Sequence, residues 1–209
     1  MRKILIITGG SKGIGKGIIE AYLADDYQIF SIARSVNDEL KKITQLPYDL
    51  SKTDGIKKLI SELFEKINSN EVEKITLINN AGTLGKIGRI EDIIDIETSV
   101  ALNTIAPLLI VSSFISLTKN WKAKKHIINI SSGAAYKPYY GWTVYCATKA
   151  AIDMMTKTIA LEQETVENGV KIIAVYPGVV NTEMQAEIRK TDKANFASLD
   201  RFLDLKANN

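Results

Sequence analysis

One cysteine, Cys146, and one histidine, His126, are all this sequence offers of the two residue types that dominate metal and thiol chemistry. A single cysteine excludes an internal disulfide and any cysteine-built metal site, so no metal is expected. A nucleophilic thiol would want a histidine beside it, but His126 falls in a strand-like run, which leaves Cys146 to packing. No apolar run of ~18 residues or more is read as a membrane span, and no basic-then-apolar leader is seen. A cytoplasmic location without a membrane partner is the expectation. Charge of one sign is also missing: 27 Lys and Arg against 24 Asp and Glu give a net charge of +3, spread along the chain. Such a balance favours no nucleic-acid partner. The local cluster Lys119, Lys122, Lys124 and Lys125 reads as a solvated helix end. Repeats, linkers and low-complexity segments are absent too. The 209 residues, 45% of them hydrophobic, therefore suit a single domain spanning 1–209 with a substantial core.

What is present concentrates between Ser131 and Lys149, SSGAAYKPYYGWTVYCATK. Tyr145 and Lys149 stand four apart in a run with helical apolar spacing, so both project from one face. A phenol beside an ammonium group ionises more easily than its usual ~10, because positive charge favours the phenolate. Ser132 directly follows HIINIS, a buried strand by composition, and would sit at the carboxyl end where open α/β sheets hold ligands. Together the three could bind a carbonyl oxygen, donate a proton to it and tune the donor. A Tyr and a Lys at this spacing are commonplace on helices, so the pair needs company.

The company begins at the amino end. Lys3 to Thr8 (KILIIT) reads as a buried parallel strand, followed by GGSKGIG and a helical pattern through Ala24. Strand, glycine-rich turn and helix make a pyrophosphate site, since glycines let the backbone approach and the helix amino end attracts the charge. Further strands are expected at 28–33, 46–48, 74–78, 126–130 and 171–175, with helices over 52–67 and 97–117. The pattern predicts an α/β fold, a doubly wound parallel sheet of Rossmann type in three layers. The second strand ends at Arg34 and Ser35, with no acid before Asp38. An arginine there accommodates a 2′-phosphate, and Lys12 could reach the same group, which points to NADP(H) over NAD(H). Two exposed basic residues by chance is the alternative.

Asn79-Asn80-Ala81-Gly82 ends the fourth strand, and Pro177-Gly178-Val179-Val180-Asn181-Thr182 ends the sixth. Asn103 stands among apolar helix residues, where its amide needs a partner; a neighbouring carbonyl would do. With Ser132, Tyr145 and Lys149 these motifs, in this order, resemble the short-chain dehydrogenase/reductase family from Lys3 to about Met184. INISSGAAYKPYYGWTVYCATKAA and PGVVNTEMQ are most similar to its sepiapterin reductase-like branch, the bacterial benzil reductases especially.

The resemblance implies a catalytic set of Ser132, Tyr145, Lys149 and Asn103, with Asn103 holding a water that supplies protons by way of Lys149. It implies cofactor contacts from Gly9, Ser11, Lys12, Gly13, Ile14 and Gly15, then Arg34 and Ser35. Asp49 and Leu50 would meet the adenine, and Asn80, Ala81 and Gly82 the ribose side. Tyr145 and Lys149 would bind the nicotinamide ribose, while Pro177, Gly178, Val180 and Thr182 would hold the nicotinamide. Met184 and the helix after it would cover the substrate as a flap. The implied activity is NADPH-dependent reduction of a small-molecule carbonyl substrate, a ketone or diketone. Tyr136, Tyr139, Tyr140 and Trp142 would wall a pocket for an aromatic or planar compound. The acid that anchors a pterin in sepiapterin reductase has no counterpart here, which favours a diketone. A 3-ketoacyl-type reductase, kept open by Arg189 and Lys190, and a non-catalytic dinucleotide-binding sensor are the alternatives. The family implies a homo-dimer or homo-tetramer. It also implies a seventh strand that this sequence lacks, leaving either a truncated chain or a short form with an exposed sheet edge.

Overall fold

The computed structural model describes residues 1–207. Six apolar runs become six parallel strands: β1 Arg2–Thr8, β2 Tyr27–Ala33, β3 Thr44–Pro47, β4 Val72–Asn79, β5 Lys124–Ile130 and β6 Lys171–Val175. Their order is β3-β2-β1-β4-β5-β6, the doubly wound arrangement expected. In register, Ile6 of β1 lies between Phe30 of β2 and Leu77 of β4. Ile4 through Ile7 are all buried because helices cover both faces of the sheet. The period of two sorts them. Ile4 and Ile6 join Leu77, Ile127, Ile110 and Phe114 in one cluster, while Leu5 and Ile7 join Ile29, Ile78 and Ile19 in another.

The helices are α1 Gly13–Ala24, α2 Ile56–Phe64, α3 Ile96–Val100, α4 Ala106–Thr118, α5 Thr143–Glu164, α6 Glu183–Arg189 and α7 Leu199–Ala207. α2 is shorter than its sequence pattern, since Thr53–Gly55 closes as a 3₁₀ turn before it. Between α3 and α4 the chain winds through a π turn, Ala101–Ile105, whose end is marked by Ala106 N–H bonding back to the Ala101 carbonyl. Pro107 explains the slip: it has no N–H to offer the Asn103 carbonyl four residues earlier. By length and composition the 96–118 helix is apolar enough to cross a membrane, which corrects the expectation of no such run. Its Ala106, Ile110, Val111 and Phe114 are packed into the core cluster beside the sheet.

Lys125 corrects a second expectation. Lys119, Lys122 and Lys124 are exposed, but Lys125 lies on β5 with 4% of its surface accessible, its ammonium 3.4 Å from the Thr118 carbonyl. Burial holds its amine below the ordinary lysine value. The protonated form is thus disfavoured on folding, and that penalty fades as pH rises to ~10.5, where the unfolded lysine also loses its proton. Lys125→Met, of similar length and apolar, is expected to add about 1 kcal/mol at pH 7. Calorimetry would read this as a rise of ~2–4 °C in Tm that shrinks in alkali.

A buried polar ladder ties the sheet to α5: Asn79 donates to the Asn129 side chain and Asn129 to the Thr156 hydroxyl, each at 2.8 Å. Asn79 is thus a strand residue of the core rather than part of a turn. No seventh strand follows β6 among the described residues, and Ile173 on that edge is 55% exposed.

Candidate active site

The strand order reverses between β1 and β4, and their carboxyl ends open a crevice there. Thr8, at the end of β1, is the fastener. Its hydroxyl accepts from the N–H groups of Asn80 and Ala81, both at 3.0 Å. Asn80 answers by donating its amide to the carbonyls of Thr8 and Gly9, again at 3.0 Å. Gly9 holds φ +68°, and a Cβ there would lie 2.8 Å from Ala81 Cα. A Cβ on Gly15 would lie 2.2 Å from the Gly9 carbonyl oxygen, so that glycine serves close packing of the loop on its own helix. α1 begins with no capping side chain and no acid in its first turn, and its first residues, Gly13 and Ile14, line the crevice. Its unbonded N–H groups suit the pyrophosphate of a dinucleotide.

The crevice is a cavity of about 740 Å³ running from Arg34 to Tyr139 and Phe202. From the glycine loop Gly9, Ser11 and Lys12 join Gly13 and Ile14 on its wall; Arg34, Ser35 and Leu50 form the far end. Asn80, Ala81 and Gly82 lie at the middle, facing Ser132, Tyr145 and Lys149. Pro177, Gly178, Val180 and Thr182 close the other side. Three expected residues stand back from it: Gly15, Asp49 and Asn103. Asp49 accepts from the hydroxyl and N–H of Ser51, at 2.8 and 3.1 Å, and these bonds hold its carboxyl below the usual range. Its neighbours Tyr48 and Leu50 line the cavity instead. Lys12, expected beside Arg34, is ion-paired with Glu183 of α6 across the cleft.

Asn103 is buried in the π turn. Its amide donates to the Thr83 carbonyl at 2.8 Å and the Thr148 hydroxyl at 3.1 Å, and its oxygen accepts from Thr83 N–H at 2.9 Å. The side chain is therefore spent on protein, the simpler of its two sequence readings, and fixes the backbone next to Gly82. Its backbone carbonyl has no α-helical donor, since Pro107 carries no N–H.

Tyr145 and Lys149 share one face of α5 as their spacing requires, 8% and 7% exposed, with the amine 5.7 Å from the phenol ring centre. Lys149 donates to the Ile130 carbonyl at 2.8 Å. Burial pushes the Tyr145 phenol above its ordinary value, the Ser132 hydroxyl pulls it partly back, and Cys146 adds to the rise. The expectation that Lys149 makes this phenol more acidic is thereby corrected: desolvation wins. Burial also lowers the Lys149 amine to about 8, against the upward pull of Asp153. Ser132 accepts from Ala134 N–H at 3.2 Å, which leaves its own hydrogen free to donate.

Of the loop aromatics, Tyr136, Tyr139 and Trp142 wall the cavity; Tyr140 does not. Trp142 is buried, stacked on Phe196 at 4.7 Å and meeting the Tyr145 ring edge-on at 5.5 Å. Phe196 and Phe202, in the stretch after Arg189, were given no role by the sequence reading. Their apolar character in an otherwise charged tail is the signal that marks them. Asn37 was also missed; it donates to the Ser11 carbonyl at 2.8 Å and braces the glycine loop.

Known proteins are similar to this chain over most of its length. The family described as short chain dehydrogenase matches residues 3–193. Benzil reductase ((S)-benzoin forming) of Bacillus cereus is 41% identical over 98% of this chain and 86% of its own length. Sepiapterin reductase of Rattus norvegicus is 30% identical over 90% of this chain and 78% of its own. The solved structure of ElxO with NADP bound superimposes with a TM-score of 0.77 at 26% identity, covering 90% of this chain and 78% of that one. This chain is an oxidoreductase that belongs to the short-chain dehydrogenase/reductase family, within its benzil and sepiapterin reductase-like branch.

Proposed function

We propose that this protein is an NADPH-dependent carbonyl reductase acting on a ketone or diketone of benzil-like, planar aromatic character, with Tyr145 as proton donor. The observation that carries the reading is the convergence of Ser132, Tyr145 and Lys149 on the same cavity as the glycine loop. Arg34 and Ser35 at its far end support a 2′-phosphate, as does ElxO, solved with NADP. Bound there, the reduced nicotinamide supplies hydride to the carbonyl carbon. Ser132 donates to the carbonyl oxygen and orients it. Tyr145 transfers its proton to that oxygen as the C=O π pair becomes an alkoxide lone pair. Its raised pKa keeps the donor neutral, and transfer to an alkoxide remains downhill because an alcohol is about as weak an acid as water, ~15.7. Lys149, anchored on Ile130, holds the nicotinamide ribose and passes the replacement proton. The Asn103 backbone carbonyl, which Pro107 cannot serve, would hold the water that completes this supply.

Tyr136, Tyr139 and Trp142 favour an aromatic substrate over an acyl thioester. Arg189, one of the basic residues that a carrier-bound substrate would want, donates instead to Asn181 at 3.1 Å and does not line the cavity. A cytoplasmic homo-dimer or homo-tetramer completes the proposal, the exposed β6 edge being its motive; sedimentation of the purified protein reads the subunit number. The activity test is NADPH oxidation with benzil, sepiapterin and an acetoacetyl thioester side by side. Turnover is expected to be fastest with benzil, and no oxidation with any of the three defeats the proposal.

A further inference from the structure

Asp153 lies on α5 one turn beyond Lys149, outside every motif considered above. Its two carboxylate oxygens accept from two hydroxyls, Ser131 and Tyr176, each at 2.5 Å. Ser131 directly follows β5 and precedes Ser132. Tyr176 directly follows β6 and precedes Pro177 and Gly178. Ser131 N–H also donates to the Val175 carbonyl at 2.8 Å, so the two strand ends already touch, and the carboxylate clamps both onto the catalytic helix. Ser131 and Tyr176 each line the cavity.

We propose that Asp153 is a positioning residue for carbonyl reduction: it fixes the strand ends that carry Ser132 and the 177–182 turn, and stands as the counter-charge to Lys149. The inference rests on the reductase reading above. A neutral side chain would satisfy the hydrogen bonds alone, but only a carboxylate opposes the desolvation of Lys149, whose amine it draws upward. Its presence is felt on the other side too, where the Tyr176 phenol is pushed up to about 12, first because ionising would forfeit its hydrogen bond to Asp153 and then through burial and the carboxylate's charge. Tyr145 and Asp153 face Lys149 from its own helix; Tyr176, with Tyr136 against its ring, stands behind Asp153. The charge that bears on the Lys149 amine is that of Asp153.

Two variants separate charge from hydrogen bonding. Asp153→Asn removes the charge with little change of shape, whereas Ser131→Ala with Tyr176→Phe removes both hydrogen bonds and leaves the charge. Lysine side-chain resonances in ¹³C-labelled protein, assigned with Lys149→Arg, follow the amine without any substrate. Its midpoint near pH 8 is expected to fall by about one unit in Asp153→Asn and to hold or rise in the double variant. With benzil, kcat is expected to drop about tenfold in the double variant, through misplacement of Ser132 and the turn. The alkaline limb of the pH profile moves down only in Asp153→Asn. An unmoved midpoint in that variant overturns the counter-charge role, and a wild-type kcat in the double variant overturns the positioning role. Should wild-type protein reduce no carbonyl compound, the reductase reading fails by itself while the titration still decides what Asp153 does to Lys149.

Discussion

Tyr145→Phe is expected to lower carbonyl reduction by about 10³-fold while leaving NADPH affinity within about twofold, because general acid catalysis is worth ~10²–10⁴ and the phenol is the group that delivers the proton to the substrate oxygen. The variant isolates that step. The ring that meets Trp142 edge-on and underlies Lys149 is preserved, so packing and the position of the amine survive. Only the hydroxyl is lost. Stopped-flow fluorescence reads NADPH binding and steady-state NADPH oxidation reads turnover; retained activity within tenfold of wild type removes Tyr145 from the mechanism. The pH profile of the wild type carries a sign that distinguishes the two buried groups. The phenol, pushed above its ordinary value, stays protonated throughout the physiological range. The amine loses its charge through about pH 8, so reduction is expected to decline from there upward, with Lys149 rather than Tyr145 as the group responsible. In the oxidative direction the same raised phenol works against the enzyme, since alcohol oxidation requires the phenolate as base.

The glycine loop, the Tyr145 and Lys149 pair and the place of Ser132 were legible in the sequence because each depends on local geometry. Four residues on a helix fix one face, and a glycine run between strand and helix has few other uses. What escaped depends on contacts between distant segments. Lys125 looks like its three exposed neighbours until strand pairing turns it inward. Asp153 looks like one more helix carboxylate until β5 and β6 deliver Ser131 and Tyr176 to it from more than twenty positions away along the chain. The acidity of Tyr145 escaped for a different reason. Sequence shows that a cation lies one turn away but not how much water the fold removes, and burial decides the sign. Pro107 stands plainly in the apolar helix run, but where its effect lands does not. The irregularity falls at the residue four earlier, whose carbonyl the proline cannot serve, and that residue is Asn103.

Arg34→Asp is expected to reverse the cofactor preference, with kcat/KM for NADPH falling by about 10²-fold and that for NADH rising. Charge-assisted hydrogen bonds to a phosphate are worth ~1.5–3 kcal/mol, and every 1.4 kcal/mol is tenfold, so losing the guanidinium and gaining a like charge accounts for that magnitude. The site makes Arg34 the residue to change. Lys12, the other cation within reach in sequence terms, is engaged with Glu183, and Ser35 contributes a hydroxyl without charge. Arg34 is exposed at the cavity's end, where its charge also helps hold the Asp49 carboxyl low. Being solvent-exposed, its attraction to a phosphate dianion weakens as salt rises, so the NADPH advantage of the wild type is expected to shrink between 0.01 and 1 M ionic strength, roughly the range over which screening tightens from 30 to 3 Å. Arg34→Ala removes the attraction without adding repulsion and separates the two contributions. Kinetics with both cofactors at two ionic strengths settle the matter: a wild type indifferent to the choice of cofactor, or an Arg34→Asp variant that keeps its NADPH preference, places the 2′-phosphate elsewhere.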